Sequence, residues 1–473
     1  MAENEEHELI RAIDWKQGLA IALGVPLLVL PSIGYFAGYL WAFAIMVWAL
    51  SVIQGFFQNF AYGELAVMFP KASGLPGFAQ NVFAGKGGKF DRGKLIGGFS
   101  AWGYWFAWNP VMAIMAILIG TYLHQMLPEI GISQYVLSII AGILMYGALL
   151  IINSRGLSSG ALVGMILAIL SLAPLVIISV APFATGDFQL ANITDSWLPT
   201  DWTWDLHHIL ILLGVFAMAE WSACAWETAA VYGPEYNKPN SDLPKAVFVC
   251  GFVCLIVFVL VQTAVTGTLG VERLLEVPFS PLLPVSQAAF GQAGSYVAIF
   301  VLIFAMILIT QTAFLGSSRA MHSMAKEGNL PPILGKTNSA GTPINAMILT
   351  ALFNLVLIGL QNPAAVLAAS AIGYSVANGI SLFSYVKAKT DPHLSQLERP
   401  FKAPRGWKYV ALAFGILNIP LFLIGVIYLN SLELGWTSTY IGIGVLAAYI
   451  PIWYYTQNKA SKHAEEASMT TGV

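Results

Sequence analysis

Apolar runs of about twenty residues recur along the chain, parted by short polar connections, from residue 17 to residue 456. A helix needs about 20 apolar residues to cross the ~30 Å hydrocarbon core of a bilayer. The pattern therefore predicts twelve membrane spans, at 17–40, 42–68, 97–127, 133–153, 157–183, 207–233, 245–270, 290–318, 343–361, 363–386, 408–429 and 436–456. The longest polar stretches, 69–96, 184–206 and 387–407, are too short to fold as separate domains.

The connections sort by charge. Of 22 Lys and Arg, 21 fall in the tails and alternate connections of one side, and only Arg273 falls on the other. Positive charge stays inside, so both termini are expected in the cytoplasm and the protein in the plasma (inner) membrane. The expected organisation is a cytoplasmic tail over 1–14, a ten-helix core over 15–390, a cytoplasmic connection with spans 11 and 12 over 391–456, and a cytoplasmic tail over 457–473.

Composition narrows the function. The chain is 57% hydrophobic and 10% charged, where soluble proteins carry about 25% charged residues. Met1 to Asp14 is acidic and polar, unlike the basic start of a cleaved signal peptide. The three cysteines, Cys224, Cys250 and Cys254, sit within spans 6 and 7, which suits packing rather than a disulfide framework. No His, Cys and carboxylate cluster has zinc spacing. The Gly85-Lys86-Gly87-Gly88-Lys89 run lacks the strand and the Ser/Thr of a P-loop. No enzyme activity, cofactor or nucleic-acid partner is expected. The partner that composition implies is the lipid bilayer.

Two spans carry breaks. Span 1 reads Leu23-Gly24-Val25-Pro26-Leu27-Leu28-Val29-Leu30-Pro31, and each proline removes a backbone donor and clashes with the preceding turn. Span 6 reads Glu220-Trp221-Ser222-Ala223-Cys224-Ala225-Trp226-Glu227, with two carboxylates inside an apolar run. Broken helices five spans apart suit an inverted repeat of spans 1–5 and 6–10 meeting at the midplane.

Among 24 Asp and Glu, only Glu64, Glu220 and Glu227 lie within or at the edge of spans. A charge at bilayer depth costs about 2.5–3.5 kcal/mol on insertion scales. Such a glutamate stays protonated or meets an arriving proton, metal cation or ammonium group. Glu220 and Glu227 are seven apart, hence on one face of a continuous helix, and a path along that face competes with a hydrogen-bonded structural role. Glu64, at the end of span 2, is expected to brace the bundle. Span 3 offers Trp102, Tyr104, Trp105 and Trp108, whose faces suit a cationic head or plain packing. Ser370, Tyr374, Ser375 and Asn378 of span 10 are expected mainly to bond neighbouring helices.

The stretch Gly316-Ser-Ser-Arg319-Ala-Met-His-Ser-Met-Ala325-Lys326-Glu327-Gly328-Asn-Leu330-Pro331, with Gly341-Thr342-Pro343-Ile-Asn345-Ala346, resembles the amino acid–polyamine–organocation permease superfamily. Gly63-Glu64-Leu65, Asn153-Ser-Arg155-Gly156 and Asp242-Leu-Pro244-Lys-Ala246 follow in the superfamily's order. The resemblance runs over roughly 15–455. It implies an all-α LeuT-type fold, a 5+5 inverted repeat plus two C-terminal helices, and secondary transport of amino acids or organic amines by alternating access. It puts substrate against Gly24, Val25, Pro26 and Leu27 of span 1, Trp102 and Trp105 of span 3, and Trp221, Ala223, Cys224, Ala225 and Trp226 of span 6.

Two departures stand out. The superfamily's Gly-Ser-Gly turn, whose amides hold a substrate carboxylate at a half-helix N-terminus, aligns with Gly24-Val25-Pro26. Pro26 has no N–H and Val25 is bulky, so carboxylate recognition is weakened and an amine is favoured. Ala225 stands where the superfamily has glycine, which points to a shorter unwound turn. Glu227 and Glu220 are the candidates for proton coupling. Thr310, Thr312, Ser317 and Ser318 of span 8 leave a sodium route open. A non-transporting sensor or light-chain-like subunit, an exchanger and a channel are the rival readings.

Overall fold

The computed structural model describes residues 9–70, 72–83, 91–433 and 435–471. Lys71, the Gly85–Lys89 run, tail residues 1–8 and the last two residues lie outside that description. The chain forms α1 Trp15–Ala22, α2 Ile33–Leu40, α3 Ala44–Met68, α4 Leu75–Phe83, α5 Arg92–Trp108 and α6 Val111–Met126. There follow α7 Gln134–Asn153, α8 Leu157–Thr185, α9 Ala191–Thr194, α10 Leu206–Ala223, α11 Pro239–Glu276 and α12 Leu282–Phe290. The last six are α13 Gln292–Lys326, α14 Ile344–Leu357, α15 Pro363–Thr390, α16 Trp407–Ile416, α17 Leu423–Glu433 and α18 Thr437–Thr471.

Among the described residues, nine helical stretches are long and apolar enough to cross a membrane, and Trp15–Val29 and Ile344–Leu360 are shorter apolar helices. Ile344–Leu360 coincides with expected span 9, whereas expected span 1, 17–40, is divided between Trp15–Val29 and the stretch Ile33–Met68 that also holds expected span 2. Expected span 12 opens α18, which continues as helix to Thr471 through the stretch expected as a tail.

Starts follow from local chemistry. Asp14 accepts from the amides of Lys16 and Gln17 while Gln17 bonds back to the Asp14 amide, a reciprocal cap that satisfies donors the first turn cannot pair. Asp91 at α5 accepts from the amides of Gly93 and Lys94, and Asp205 at α10 from the amide of His208, caps without the return bond. Pro239 and Pro363 open α11 and α15, where a missing N–H matters least. Inside the line of α16 and α17, Pro420 sits in a π turn over Leu417–Phe422. A π turn widens the helix by a residue, and it presents Asn418 to the bundle.

The outward faces are apolar: Leu144 of α7, Ile169 and Ile177 of α8 and Ile256 of α11 are all exposed. An exposed apolar surface of this extent marks a lipid-facing belt. Polar side chains point inward, where they staple helix to helix. Asn153 and Gln311 exchange amide bonds of 2.8 and 3.0 Å between α7 and α13. Thr342 Oγ1 donates to the Asn153 carbonyl at 3.0 Å, and Asn338 donates to the Ser154 carbonyl at 2.8 Å. Two motifs far apart in sequence are thus one structural joint.

Two ionic clasps close the end of the bundle where most Lys and Arg lie. Glu64 of α3 accepts from Tyr385 Oη at 2.8 Å, Lys389 Nζ at 2.7 Å, Arg399 Nη1 at 3.0 Å and the Ala403 amide at 3.0 Å. That ties the connection after α15 down onto α3, so Glu64 does brace the bundle. The second clasp corrects the sequence reading. Arg319, counted there among the cations of a loop, is 1% exposed and pairs bidentately with buried Glu235 at 2.5 and 2.8 Å. The Glu235 carbonyl accepts from the amides of Ala12 and Ile13, and Asn237 donates to the Ile13 carbonyl at 2.8 Å. The segment before α1 is thereby pinned beside the clasp.

Removing one partner of a buried pair leaves an uncompensated charge, which costs about 3–5 kcal/mol, whereas replacing both by apolar groups is often neutral. Glu235→Gln is therefore expected to lower the thermal unfolding midpoint of the purified protein sharply, and the double variant Glu235→Leu, Arg319→Met to recover most of the loss. An unchanged midpoint in Glu235→Gln would show that the guanidinium is hydrated or paired elsewhere.

Candidate functional site

The two broken spans meet in the interior. The turn over Pro26–Val29 packs against α10, α11 and α13, and α1 packs against the segment Ala225–Glu235. Neither break is an unwound strand. In span 1 the amides of Val25, Leu27, Leu28, Leu30 and Ser32 donate to the carbonyls three residues before them, at 2.9, 3.3, 2.9, 3.0 and 3.0 Å. Pro26 lacks the donor that an α-turn would use, and the helix narrows to the 3₁₀ form instead of opening. Gly24 is required by close approach: a Cβ there would lie 2.2 Å from Thr312 Oγ1 and 2.8 Å from the Leu308 carbonyl of α13.

In span 6, α10 ends at Ala223, Cys224 stays in the helical region, and Ala225–Glu235 runs on as 3₁₀ helix. The expected shortening of the unwound turn is complete, since the first extended residue is Tyr236. The seven-residue spacing of Glu220 and Glu227 no longer places them on one face, because the change of helix type at Cys224 intervenes. Each carboxyl has its own surroundings.

Glu227 is fully buried. Tyr104 of α5 donates to its Oε2 at 3.4 Å, Tyr374 of α15 also faces the carboxyl, and its Oε1 has no hydrogen-bond partner. Thr228 and Trp108 flank Tyr104. Glu220, equally buried, lies among amides of α3, α15 and the π turn. Among the described residues no Lys or Arg pairs with either carboxylate, whereas Glu64 and Glu235 each have a cation.

The other expected site residues divide. Gly24, Val25, Pro26, Leu27, Ala223, Cys224 and Ala225 are all buried at the two breaks. Cys224 Sγ donates to the Ser51 carbonyl at 2.9 Å and so faces α3. Trp221 donates to the Ala107 carbonyl at 3.3 Å, which bridges α10 to the end of α5. Trp226 turns the other way, with its ring 5.0 Å from Phe56 and 6.4 Å from Phe248. Trp102 and Trp105 stack at 4.3 Å; Trp102 donates to the Val445 carbonyl at 2.7 Å and Trp105 packs on Phe353. These two rings face α18 and α14, and it is Tyr104 and Trp108, on the other side of α5, that meet span 6. An alternation along α5 between the two ring pairs was visible in the spacing, but it gave no way to choose the inner pair.

Of the four span 8 hydroxyls, Thr312 Oγ1 donates to the Ile21 carbonyl of α1 at 2.6 Å. Thr310, Ser317 and Ser318 donate to carbonyls of α13 itself. Gln54, Gln58 and Asn418, all buried around Glu220, were missed from sequence. Their signal was an amide in an apolar span, repeated one turn apart at 54 and 58.

A cleft of about 400 Å³ opens at the basic end, lined by Arg11, Pro234, His322, Ser323, Lys326 and Glu327 among others. Pro234 and His322 flank the Glu235–Arg319 clasp in sequence, so the clasp borders the cleft.

Comparison with known proteins agrees with this architecture. The amino acid permease family profile matches residues 13–448. The uncharacterized amino acid permease YecA of Bacillus subtilis is 24% identical over 360 residues, 74% of this chain and 78% of the relative. The arginine/ornithine antiporter ArcD2 of Lactococcus lactis subsp. cremoris is 25% identical over 346 residues, 69% of this chain and 65% of the relative. The crystal structure of a manganese transporter of Eremococcus coleocola superposes with a TM-score of 0.55 at 13% identity, covering 96% of this chain and 98% of the other. That last likeness concerns the fold. The chain therefore belongs to the amino acid permease family, multi-pass membrane proteins that transport amino acids and are not enzymes.

Proposed function

We propose that the protein is a secondary active transporter of amino acids or related amines that works by alternating access and is coupled to protons. The observation that carries this reading is Glu227: fully buried at the break of span 6, without a cation, and with one carboxyl oxygen unpartnered. A buried carboxylate in that condition is stable only when a proton or a cationic ligand joins it. Substrate binds between residues 24–28 and 221–227, its ammonium group at Glu227, with Tyr104 and Tyr374 beside it. The closed turns and the clasp at the basic end describe an occluded form, which opens when Arg319 and Glu235 part.

The wider architecture in this reading is twelve helices, with spans 1–5 and 6–10 as inverted repeats and spans 11 and 12 added. Both termini and the basic end face the cytoplasm, which the one-sided distribution of Lys and Arg supports. Proton coupling runs through Glu227 or Glu220. Sodium is the alternative ion, supported by the single reach of Thr312 toward the Ile21 carbonyl. Exchange of one amine-bearing compound for another is the second reading of the transport cycle, supported by relatives named as arginine/ornithine antiporters.

Glu227→Gln keeps shape and hydrogen bonding while removing the titrating group. In proteoliposomes with an imposed pH gradient the variant is expected to fold but to lose uphill accumulation. Accumulation that persists with its pH dependence intact would assign Glu227 a purely structural role.

The span 1 turn bears on the substrate. Its amides at Val25, Leu27 and Leu28 are taken by internal bonds, and Pro26 has none to offer. An unsatisfied substrate carboxylate costs about 1–3 kcal/mol or more. Competition between matched pairs, each an amino acid and its decarboxylated amine, is expected to show less than a tenfold preference for the acid, about 1.4 kcal/mol. A consistent hundredfold preference would mean that this turn opens and grips a carboxylate.

A further inference from the structure

Glu220 is surrounded in a way that a lone carboxylate cannot use. Side-chain nitrogens of Gln54, Gln58, Asn378 and Asn418 stand 2.5, 2.6, 2.8 and 3.0 Å from its Oε1, and its Oε2 has no partner. An ionised carboxylate offers about two lone-pair sites on each oxygen, so four N–H donors cannot all be accommodated on one. The oxygen and nitrogen of an amide are interchangeable in shape, and their assignment follows from the network rather than from position. The crowding resolves when some of the amides turn their oxygens to the carboxylate, and those oxygens repel it unless positive charge lies between.

Charge balance leads to the same place. The other two buried carboxylates with ionic partners, Glu64 and Glu235, have them built into the chain. Glu220 has no Lys, Arg or His partner among the described residues, only neutral amides contributed by α3, α15 and the π turn that follows α16. Tyr62 extends the cluster by donating to the Asn378 side-chain oxygen. Carboxylate and amide oxygens together are the donor set that hard cations prefer. We propose that Glu220 with Gln54, Gln58, Asn378 and Asn418 forms a binding site for one monovalent cation, proton or sodium, separate from the substrate position at Glu227.

Such a cation would join spans 2, 6, 10 and 11. This deepens the coupling reading above and rests on it for its role in transport, but binding is measurable without transport. The titratable neighbours are Tyr62 on α3, Tyr374 on α15, and Cys224 and Glu227 in span 6.

The test uses the purified full chain in detergent without substrate. Thermal unfolding midpoints are measured across a pH series, in sodium and in choline, for the wild type, Glu220→Gln, Glu227→Gln and Asn418→Leu. A ligand that binds only the folded state raises the midpoint with its concentration. The wild type is expected to gain stability either with sodium or as pH falls, which separates the two cations. Glu220→Gln is expected to lose a sodium gain whole, or the larger part of a gain at falling pH, and Glu227→Gln to lose only the part that protonation of Glu227 itself contributes. Asn418→Leu, which retains the carboxylate, is expected to need about tenfold more sodium, since removing a supporting partner typically costs 10–100-fold in affinity; if the cation is a proton, losing an N–H donor that favours the ionised carboxylate moves the gain to higher pH instead. A wild-type gain that survives unchanged in both Glu220→Gln and Asn418→Leu would overturn the site, as would a wild type indifferent to both cations. Cation binding at Glu220 together with uptake indifferent to every ion gradient would leave the site standing and remove the coupling reading.

Discussion

In hydrocarbon every backbone amide and carbonyl must find its partner within the protein, because each one left open costs several kcal/mol. That constraint governs two of the places where this chain stops being α-helical at depth. Proline at position 26 takes away a donor that an α-turn would use, and the chain answers by narrowing to bonds three residues apart. After Ala223 the same tightening carries span 6 through eleven residues of 3₁₀ helix. Both breaks are internally satisfied and both are enclosed by other helices. These two irregular stretches lie inside the bundle, and the two carboxylates without a cation lie there with them.

Charge is managed by a second rule. Carboxylates near the basic end receive their cations from the chain: Lys389 and Arg399 for Glu64, Arg319 for Glu235. Carboxylates at the centre receive only hydroxyls and amides. A buried pair is costly to break, so the peripheral clasps hold fast the elements they join. A buried carboxylate with neutral partners is sensitive to whatever cation reaches it. Fixed clasps at the end and responsive groups at the centre are the physical ingredients of a gate controlled by occupancy.

The helical class, the position of the breaks and the burial of Glu227 without a cation were legible in sequence because each rests on a local rule: apolar length, proline chemistry, and the cost of charge in lipid. What the sequence left open depended on rotation about a helix axis. Trp102 and Trp105 are as aromatic as Tyr104 and Trp108, and only packing shows that the first pair faces α18 and α14. Glu220 and Glu227 share a face on an ideal α-helix and cease to once the helix type changes at Cys224. Arg319 reads as a loop cation because it ends an apolar run, yet its partner Glu235, 84 residues away, draws it inside. The amides around Glu220 come from three elements far apart in the chain, and no local spacing links them.

The central claim is that substrate sits between the two breaks with its ammonium group at Glu227. Single-particle cryo-electron microscopy of the purified protein, with and without its best substrate, tests it most directly. The account expects substrate density between residues 24–28 and 221–227, in contact with the Glu227 carboxyl. Density lodged elsewhere with the turns over 24–28 and 225–235 unchanged and unoccupied would contradict it.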